Sequence, residues 1–373
     1  KLCGAKGFSG FLHPEGPYDD PDGGAFREVL YGRLRAHFQF VNEMKLFSEV
    51  GNQAKYSINI YGNLRDRPTF DNIANLFTPA TVDTCFVHDG NGIAEGYKNQ
   101  FGKWNTVGHR DRIVRIDGAH LKVFAQLYDL PGTPTLRARL PSLHAGKLAS
   151  VLEKLAIYPK RLGDLEGAYF PTQLWNEKLA NDDGTILRNE DRSAPFAVSA
   201  EEWVLSGPHF FVANPFSQTP RSICGTHRAY DRLDLESIQD DFLPRTNYSP
   251  MADHKEYLRR TARVSWIENG QIAAKPVTDY FRVINREMIV SVLERTLITA
   301  LVPPGPAWIN TILGHAFCDS KAMVAFLAWS QSIPLDFRVK STGMGHANTS
   351  LVNQLPIPES LKTDVAARTL SLN

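Results

Sequence analysis

The sequence carries only four cysteines in 373 residues, and none falls in a C-x-x-C or C-x-x-H pair. Cys3, Cys85, Cys224 and Cys318 stand singly, which excludes a disulfide framework and leaves a structural zinc site only if distant segments assembled one. Four reduced, mostly buried thiols are the expectation for a cytoplasmic protein. No stretch of about 18 uncharged apolar residues occurs, so no membrane-spanning helix is expected. The opening KLCGAKGFSG has neither a Met nor an apolar signal core, so no secretory peptide is visible and the chain reads as a processed form or an excised fragment. An excess of one charge is also missing. Lys+Arg total 41 against 40 Asp+Glu, a net charge of +1, which argues against coating nucleic acid by charge alone but leaves room for local basic surfaces.

Most motifs that announce a chemistry are absent too. There is no G-x-x-x-x-G-K-[ST], no G-x-G-x-x-G after a strand, no H-E-x-x-H and no G-x-S-x-G. The eleven His are dispersed, with no pair at ligand spacing on a clear helix, and read as surface or hydrogen-bonded core residues.

What is present describes a folded protein. Hydrophobic residues make up 43%, aromatics 10% and charged residues 22%, which excludes wholesale disorder. At roughly 100–200 residues per domain the length suggests two or three domains. Residues 1–25, rich in Gly, Pro and Asp, read as a loop or linker. Phe26, Val29, Leu30, Leu34, Phe38 and Val41 recur at helical spacing, and Lys55–Tyr61 is a β-prone run. Residues 26–150 therefore read as an α/β region, with a helix near Leu148–Leu155.

Residues 151–373 read as a second region, α+β in character. It is turn-rich from Pro159 to about Pro250 and more regular after that. The segment Arg263–Ile272 predicts a hairpin turned at Asn269-Gly270. Asp279–Glu294 predicts a helix, Thr296–Val302 a buried strand, 320–330 a helix and Leu335–Lys340 a strand. The fold class is thus mixed, α/β followed by an irregular α+β region, with no internal repeats. Net charge runs +2 over 1–140, −4 over 141–250 and +3 over 251–373. Within the last part Arg259, Arg260 and Arg263 cluster, as phosphate-docking cations would.

Two short patterns invite a catalytic reading. Pro21-Asp22 followed by Glu43-Met44-Lys45 matches the loose arrangement of metal-dependent nucleases, in which two carboxylates hold a divalent ion and a Lys attends the attacking water. Those residues ought to lie on adjacent strands, whereas Glu43 and Lys45 end a helical pattern. Asn214-Pro215-Phe216 resembles the Asn-Pro-Pro-aromatic loop that grips a flipped adenine in amino-methyltransferases, but the second Pro is missing. A plain turn is the better reading there.

The order of several longer blocks resembles a family. His37–Phe47 followed by Lys55–Tyr61 is similar to the tail of the catalytic domain in large N6-adenine DNA methyltransferases, the fused type IIG/IIL restriction–modification and BREX-like phage-exclusion enzymes of bacteria. Residues 202–216, 243–250 and 295–305 resemble further blocks of those proteins. The closing run Asp336-Phe-Arg-Val-Lys340-Ser-Thr-Gly343, then Asn348 and Leu355-Pro356-Ile-Pro358, is similar to the end of their target-recognition domain. The resemblance covers about 26–358, while the family's cofactor loop and catalytic Asn-Pro-Pro-aromatic motif are absent.

The resemblance implies a chain that ends a methyltransferase-like layer and continues into a target-recognition domain. It would bind double-stranded DNA and recognise its sequence without performing transfer. S-adenosylmethionine is expected on an upstream methyltransferase domain of the same polypeptide, with no cofactor, metal or catalytic residue in this chain. Arg259, Arg260 and Arg263 are then the phosphate candidates, and Lys340, Thr342 and Asn348 the base-reading candidates. The competing readings are a metal-dependent nuclease built on Asp22, Glu43 and Lys45, or a non-catalytic module that assembles with other proteins.

Overall fold

A computed structural model describes residues 6–268, 270–272, 274–358 and 362–373. The chain is a mixed α/β protein, with eleven α-helices and seventeen strands among the described residues. It divides into two compact units. Unit 1 is the chain up to Pro159 together with Ser341–Gly343, and unit 2 is Lys160–Lys340 with Met344–Asn373.

Unit 1 is built from β1 (Ser9–Pro14), α1 (Gly16–Asp19), α2 (Gly24–Tyr31), β2 (Leu34–Val41), β3 (Lys55–Tyr61), β4 (Thr69–Leu76), α3 (Ala80–Val87), β5 (Val114–Asp117), α4 (Gly118–Tyr128) and α5 (Lys147–Ala156). Its sheet has the order β1-β3-β2-β4-β5, with β2 and β4 parallel and the other neighbours antiparallel.

Two expectations fail here. The first twenty-five residues are no simple loop, because β1 pairs with β3 and Pro17 and Pro21 sit in the first turns of helical segments, where a missing N–H costs nothing. The apolar series Phe26–Val41 is also not one helix. It breaks after Tyr31, and Leu34–Val41 is a strand whose register shift between Leu34 and Ala36 hides its period of two.

The sheet's two faces differ in chemistry. Phe40, Ile73 and Leu76 form an apolar layer with Cys85 of α3, joined by Phe38, Tyr56 and Ile58. The opposite face carries His37, Gln39, Ser57, Asn59 and Asn72, all buried. Their hydrogen bonds make that burial possible. Glu15 accepts from His37 Nε2 at 3.2 Å and from Gln39 Nε2 at 2.7 Å, and His37 Nδ1 faces Asn72 Oδ1 at 2.7 Å. Tyr18 of α1 donates to Asn59 at 2.6 Å. Burial alone would raise the Glu15 pKa, but His37, Ser57 and Gln39 outweigh it and lower it to about 2.

Unit 2 begins with short elements: β6 (Tyr169–Thr172), α6 (Glu177–Asp182), β7 (Ile186–Leu187), β8 (Val204–Leu205), β9 (Gln218–Pro220), β10 (Tyr230–Arg232), β11 (Ser249–Pro250) and α7 (His254–Arg260). The expected hairpin follows as β12 (Ile267–Glu268) and β13 (Gln271–Ile272), while its turn residue Asn269 lies outside the described residues. Then come β14 (Arg282–Arg286), β15 (Thr299–Val302), β16 (Ala307–Trp308), β17 (Ile312–Phe317), α8 (Ser320–Ser330), α9 (Ile333–Lys340), α10 (Thr349–Asn353) and α11 (Thr363–Leu372).

A four-stranded antiparallel sheet, β15-β14-β17-β6, organises this unit. Alternation along its strands feeds two cores. Val283, Leu313 and Phe317 meet Phe326 and Leu327 of α8, whereas Ile284, Ala300 and Ile312 meet Trp203 and Trp308. Within the sheet Tyr169 OH lies 2.7 Å from His315 Nδ1, and His315 Nε2 lies 2.6 Å from Asn285 Oδ1. Since the amide oxygen can only accept, the proton sits on Nε2 and the phenol donates to Nδ1.

Two further expectations are corrected. Asp279–Glu294 contains strand β14, not a helix, because Arg282 and Asn285 are buried on carbonyl and imidazole partners that local periodicity does not reveal. Leu335–Lys340 belongs to helix α9, not a strand. Its buried positions Leu335, Asp336, Arg338 and Val339 follow a helical face, and the Asp336 carboxylate accepts from the amides of Thr296 and Leu297 at 2.8 and 2.7 Å.

Candidate nucleic-acid interface

Helix α7 carries the predicted arginines. Asp253 caps it by accepting from Glu256 N, and buried Tyr257 receives a hydrogen bond from Trp175 Nε1 at 3.1 Å, so the helix is anchored by its inner face. Arg259 and Arg260 then emerge at the C-terminal turn, where cations favour the helix dipole. Arg259 forks onto Glu256 at 2.6 and 2.8 Å and remains 73% exposed in its side chain. Arg260 is more constrained. It bonds to Glu256 Oε1 at 2.8 Å, to Thr185 Oγ1 at 2.7 Å and to the Asp183 carbonyl at 3.2 Å. Arg263 is exposed and donates to the Ala274 carbonyl at 2.5 Å, on the facing limb of the hairpin.

The Asp183 and Thr185 contacts set the end of α7 beside the segment that follows α6. On that segment opens a polar cleft of about 530 Å³, where Asn181, Asn189, Arg188 and Arg192 share the lining with the carboxylates of Glu177, Asp182 and Glu190. Arg188 lies 5.5 Å from the centre of the Tyr248 ring and donates to the Cys224 carbonyl at 2.8 Å. Tyr248 OH donates to Glu177. Burial and that bond raise the Tyr248 pKa and keep the phenol protonated. Amides and guanidinium groups at a solvent-filled cleft can donate to base edges and phosphate oxygens. Arg188 and Arg192 were not among the sequence candidates. Their one signal was the density of Asn and Arg between 181 and 192, which the turn-rich context masked.

The other sequence candidates are dispersed. Lys340 Nζ donates to the carbonyls of Leu293 and Glu294 at 2.7 and 3.1 Å, closing the C-terminal end of α9 on a neighbouring loop. Burial lowers its pKa. Thr342 is half-buried in the Ser341–Gly343 segment that belongs to unit 1. Asn348 caps α10, its side chain accepting from Leu351 N at 3.1 Å. The loop that holds them follows a helix, not the expected strand.

The catalytic-looking patterns resolve into local turns. Asp22 is exposed in a turn whose amide bonds to Asp20. Glu43 accepts from Asn52 at 3.1 Å, and Lys45 donates to the Val50 carbonyl at 3.0 Å, each within one loop. Among the described residues no group of three or more His, Cys, Asp or Glu could hold a metal ion. Asn214 forms the plain turn expected of it, accepting from Phe216 N at 2.9 Å, while Phe216 stacks on Trp203 with ring centroids 5.3 Å apart. Of the cysteines, Cys85 and Cys224 are buried, Cys318 is exposed and all three are free thiols, while Cys3 lies outside the described residues. No helix among the described residues is long and apolar enough to cross a membrane.

No protein-family model matches the chain, and no curated protein matches it. Solved structures do align with it. One is the type IIL restriction-modification enzyme MmeI in complex with DNA, at 9% identity and a TM-score of 0.44, over 98% of this chain and 41% of that one. Another is the type IIG restriction endonuclease BpuSI, at 10% identity and a TM-score of 0.27, over 97% of this chain and 42% of that one. The chain spans about two fifths of the length of each.

Proposed function

We propose that this chain is the DNA sequence-recognition portion of an adenine-N6 DNA methyltransferase or restriction–modification enzyme. The observation that supports it best is the juxtaposition in unit 2 of exposed arginines at the end of α7 with a polar cleft whose lining combines amides and guanidinium groups with the carboxylates of Glu177, Asp182 and Glu190. Exposed arginines at the end of α7 suit docking on phosphates, and the mixed donors and acceptors of the neighbouring cleft suit contacts to base edges. Arg259 and Arg263 are the phosphate contacts in this reading, and Arg188 and Arg192 extend them into the cleft. The order of sequence blocks similar to those enzymes supports the same class.

Methyl transfer would belong to an upstream domain that holds S-adenosylmethionine. The residues of this chain position DNA and perform no bond-making step. The direct test is a fluorescence-anisotropy titration of the 373-residue chain with a 30-base-pair duplex over a range of NaCl concentrations. Salt-dependent binding is expected. No binding at low salt by a protein shown to be folded overturns the proposal.

A further inference from the structure

A second cationic surface, which no motif announced, lies at one end of the unit 1 sheet. The backbone brings two segments together there. Arg65 N donates to the Gly32 carbonyl at 2.9 Å, and Gly62 N donates to the Arg33 carbonyl at 2.8 Å. These bonds bind the turn that precedes β2 to the loop between β3 and β4, and so bring Arg33, Arg35 and Arg65 to the same end of the sheet. Arg35 is the fixed member. Its Nη1 donates to the carbonyls of Arg33 and Leu34 at 3.0 and 3.1 Å, and its Nη2 donates to Asn63.

The guanidinium of Arg35 lies so close over Gly62 that a Cβ there would sit 3.0 Å from Nε and 3.2 Å from Cζ. Gly62 thus admits the cation where a larger residue would displace it. Burial, and then the neighbouring charges of Arg65 and Arg33, lower the Arg35 pKa, which places the three cations within electrostatic reach of one another. Arg33, Arg65 and Arg67 are exposed, and Arg67 follows Arg65 on the same loop. Among the described residues none of the four forms an ion pair, and neither does Asp66, which lies between Arg65 and Arg67.

Like charges gathered by backbone hydrogen bonds, with no carboxylate across from them, form a site for a multiply charged anion. A row of exposed guanidinium groups at a sheet end is complementary in charge to a phosphodiester chain, whose anionic charge repeats along its length. We infer that Arg33, Arg35, Arg65 and Arg67 form a docking surface for the phosphate backbone of duplex DNA, separate from the arginines of unit 2. This inference rests on the DNA reading above and extends it to unit 1.

The test compares the full chain with an Arg33→Gln/Arg67→Gln double variant, whose altered side chains make no hydrogen bond among the described residues, and with a triple variant that adds Arg65→Gln. Thermal melting confirms that each is folded. Binding to a 30-base-pair duplex is measured by anisotropy between 50 and 300 mM NaCl. The slope of log K against log[salt] should become shallower by about 1–2 in the double variant and further in the triple, with about tenfold or greater loss of affinity at low salt. A double or triple variant with the wild-type slope and affinity overturns the inference and leaves the DNA reading standing. Absence of binding by the wild-type chain overturns the DNA reading itself. Arginine-dependent binding to phosphatidylserine vesicles without binding to duplex overturns the choice of DNA as the partner.

Discussion

Lys55 Nζ donates to the carbonyl oxygen of Gly343 at 2.9 Å, joining positions 288 residues apart. The contact is one of several between Ser341–Gly343 and the rest of unit 1. Ser142 N donates to the Ser341 carbonyl at 2.8 Å, and the hydroxyls of Tyr128 and Ser341 lie 2.5 Å apart. Burial lowers the Lys55 pKa, while Asp19 and Glu15 act in the other direction.

Gly343 cannot be replaced without strain at this contact. Its φ is +67°, and a Cβ would lie 1.8 Å from Lys55 Nζ. Gly343→Ala should lower stability by about 1–3 kcal/mol, combining left-handed strain with displacement of the lysine. Urea unfolding monitored by circular dichroism checks this, and an unchanged midpoint would count against the contact.

The buried pair of Glu15 and His37 makes a sharper claim. Glu15→Ala leaves His37 and Gln39 without their acceptor and should cost about 3–5 kcal/mol. Because the folded pKa of Glu15 is depressed to about 2, its contribution is present above the ordinary glutamate value and is lost as pH falls from about 4.5 toward 2. Stability curves of wild type and Glu15→Ala should therefore converge in acid. Parallel curves down to pH 2.5 would refute the assignment.

Three buried histidines act at milder pH. Burial lowers His144 and His209 to about 4 and His315 to about 3. Their unfolded forms take up protons below about 6.5, so the stability they confer is complete above that pH and declines as pH falls through it. A loss of about 1–2 kcal/mol per histidine is expected between pH 7 and 5, read as a fall in denaturation midpoint. A midpoint flat over that range would show that these rings protonate freely in the folded state.

Gly314, at the centre of β17, lies beneath an indole. A Cβ would sit 2.0 Å from Trp308 Cζ2. Gly314→Ala should cost about 3 kcal/mol or more, since Trp308 is fully buried and has no free volume to enter. Tryptophan fluorescence during thermal unfolding reports both the loss of stability and the moved indole.

Arg259 and Arg260, adjacent in sequence, should behave differently. Arg259→Gln with Arg263→Gln should weaken duplex binding and leave stability within about 0.5 kcal/mol, since both side chains are exposed. Arg260→Gln should lower stability by about 1 kcal/mol, because it removes the ties to Asp183 and Thr185. The two effects are separated by measuring melting temperature and affinity on the same samples. Equal loss of affinity without loss of stability in Arg260→Gln would contradict the structural role.

The sequence was legible where one physical signal dominated. Lys55–Tyr61 forms β3, Leu148–Leu155 lies within α5, and 320–330 forms α8, because apolar periodicity there agrees with burial. It misled where buried polar groups carry the structure. Arg282 sits in β14 against the carbonyls of Pro303 and Pro306, and Asp336 turns inward from α9 toward backbone amides, so hydrophobic spacing gave the wrong period at both. The same limit applies to the proposed interface. The arginines of α7 are visible as a cluster in sequence, whereas Arg33 and Arg65 come to one sheet end only because two loops are hydrogen-bonded together.

The assignment of Ser341–Gly343 to unit 1 also bears on how the protein can be re-engineered. A chimera that exchanges everything after Pro159 for the matching part of another chain would exchange the glycine that lets Lys55 reach the backbone at 343 and the hydroxyl that meets Tyr128. A graft that leaves unit 1 whole needs three junctions: after Pro159, before Ser341 and after Gly343. Single-crossover swaps should therefore give poorly folded products even when the transplanted unit is sound.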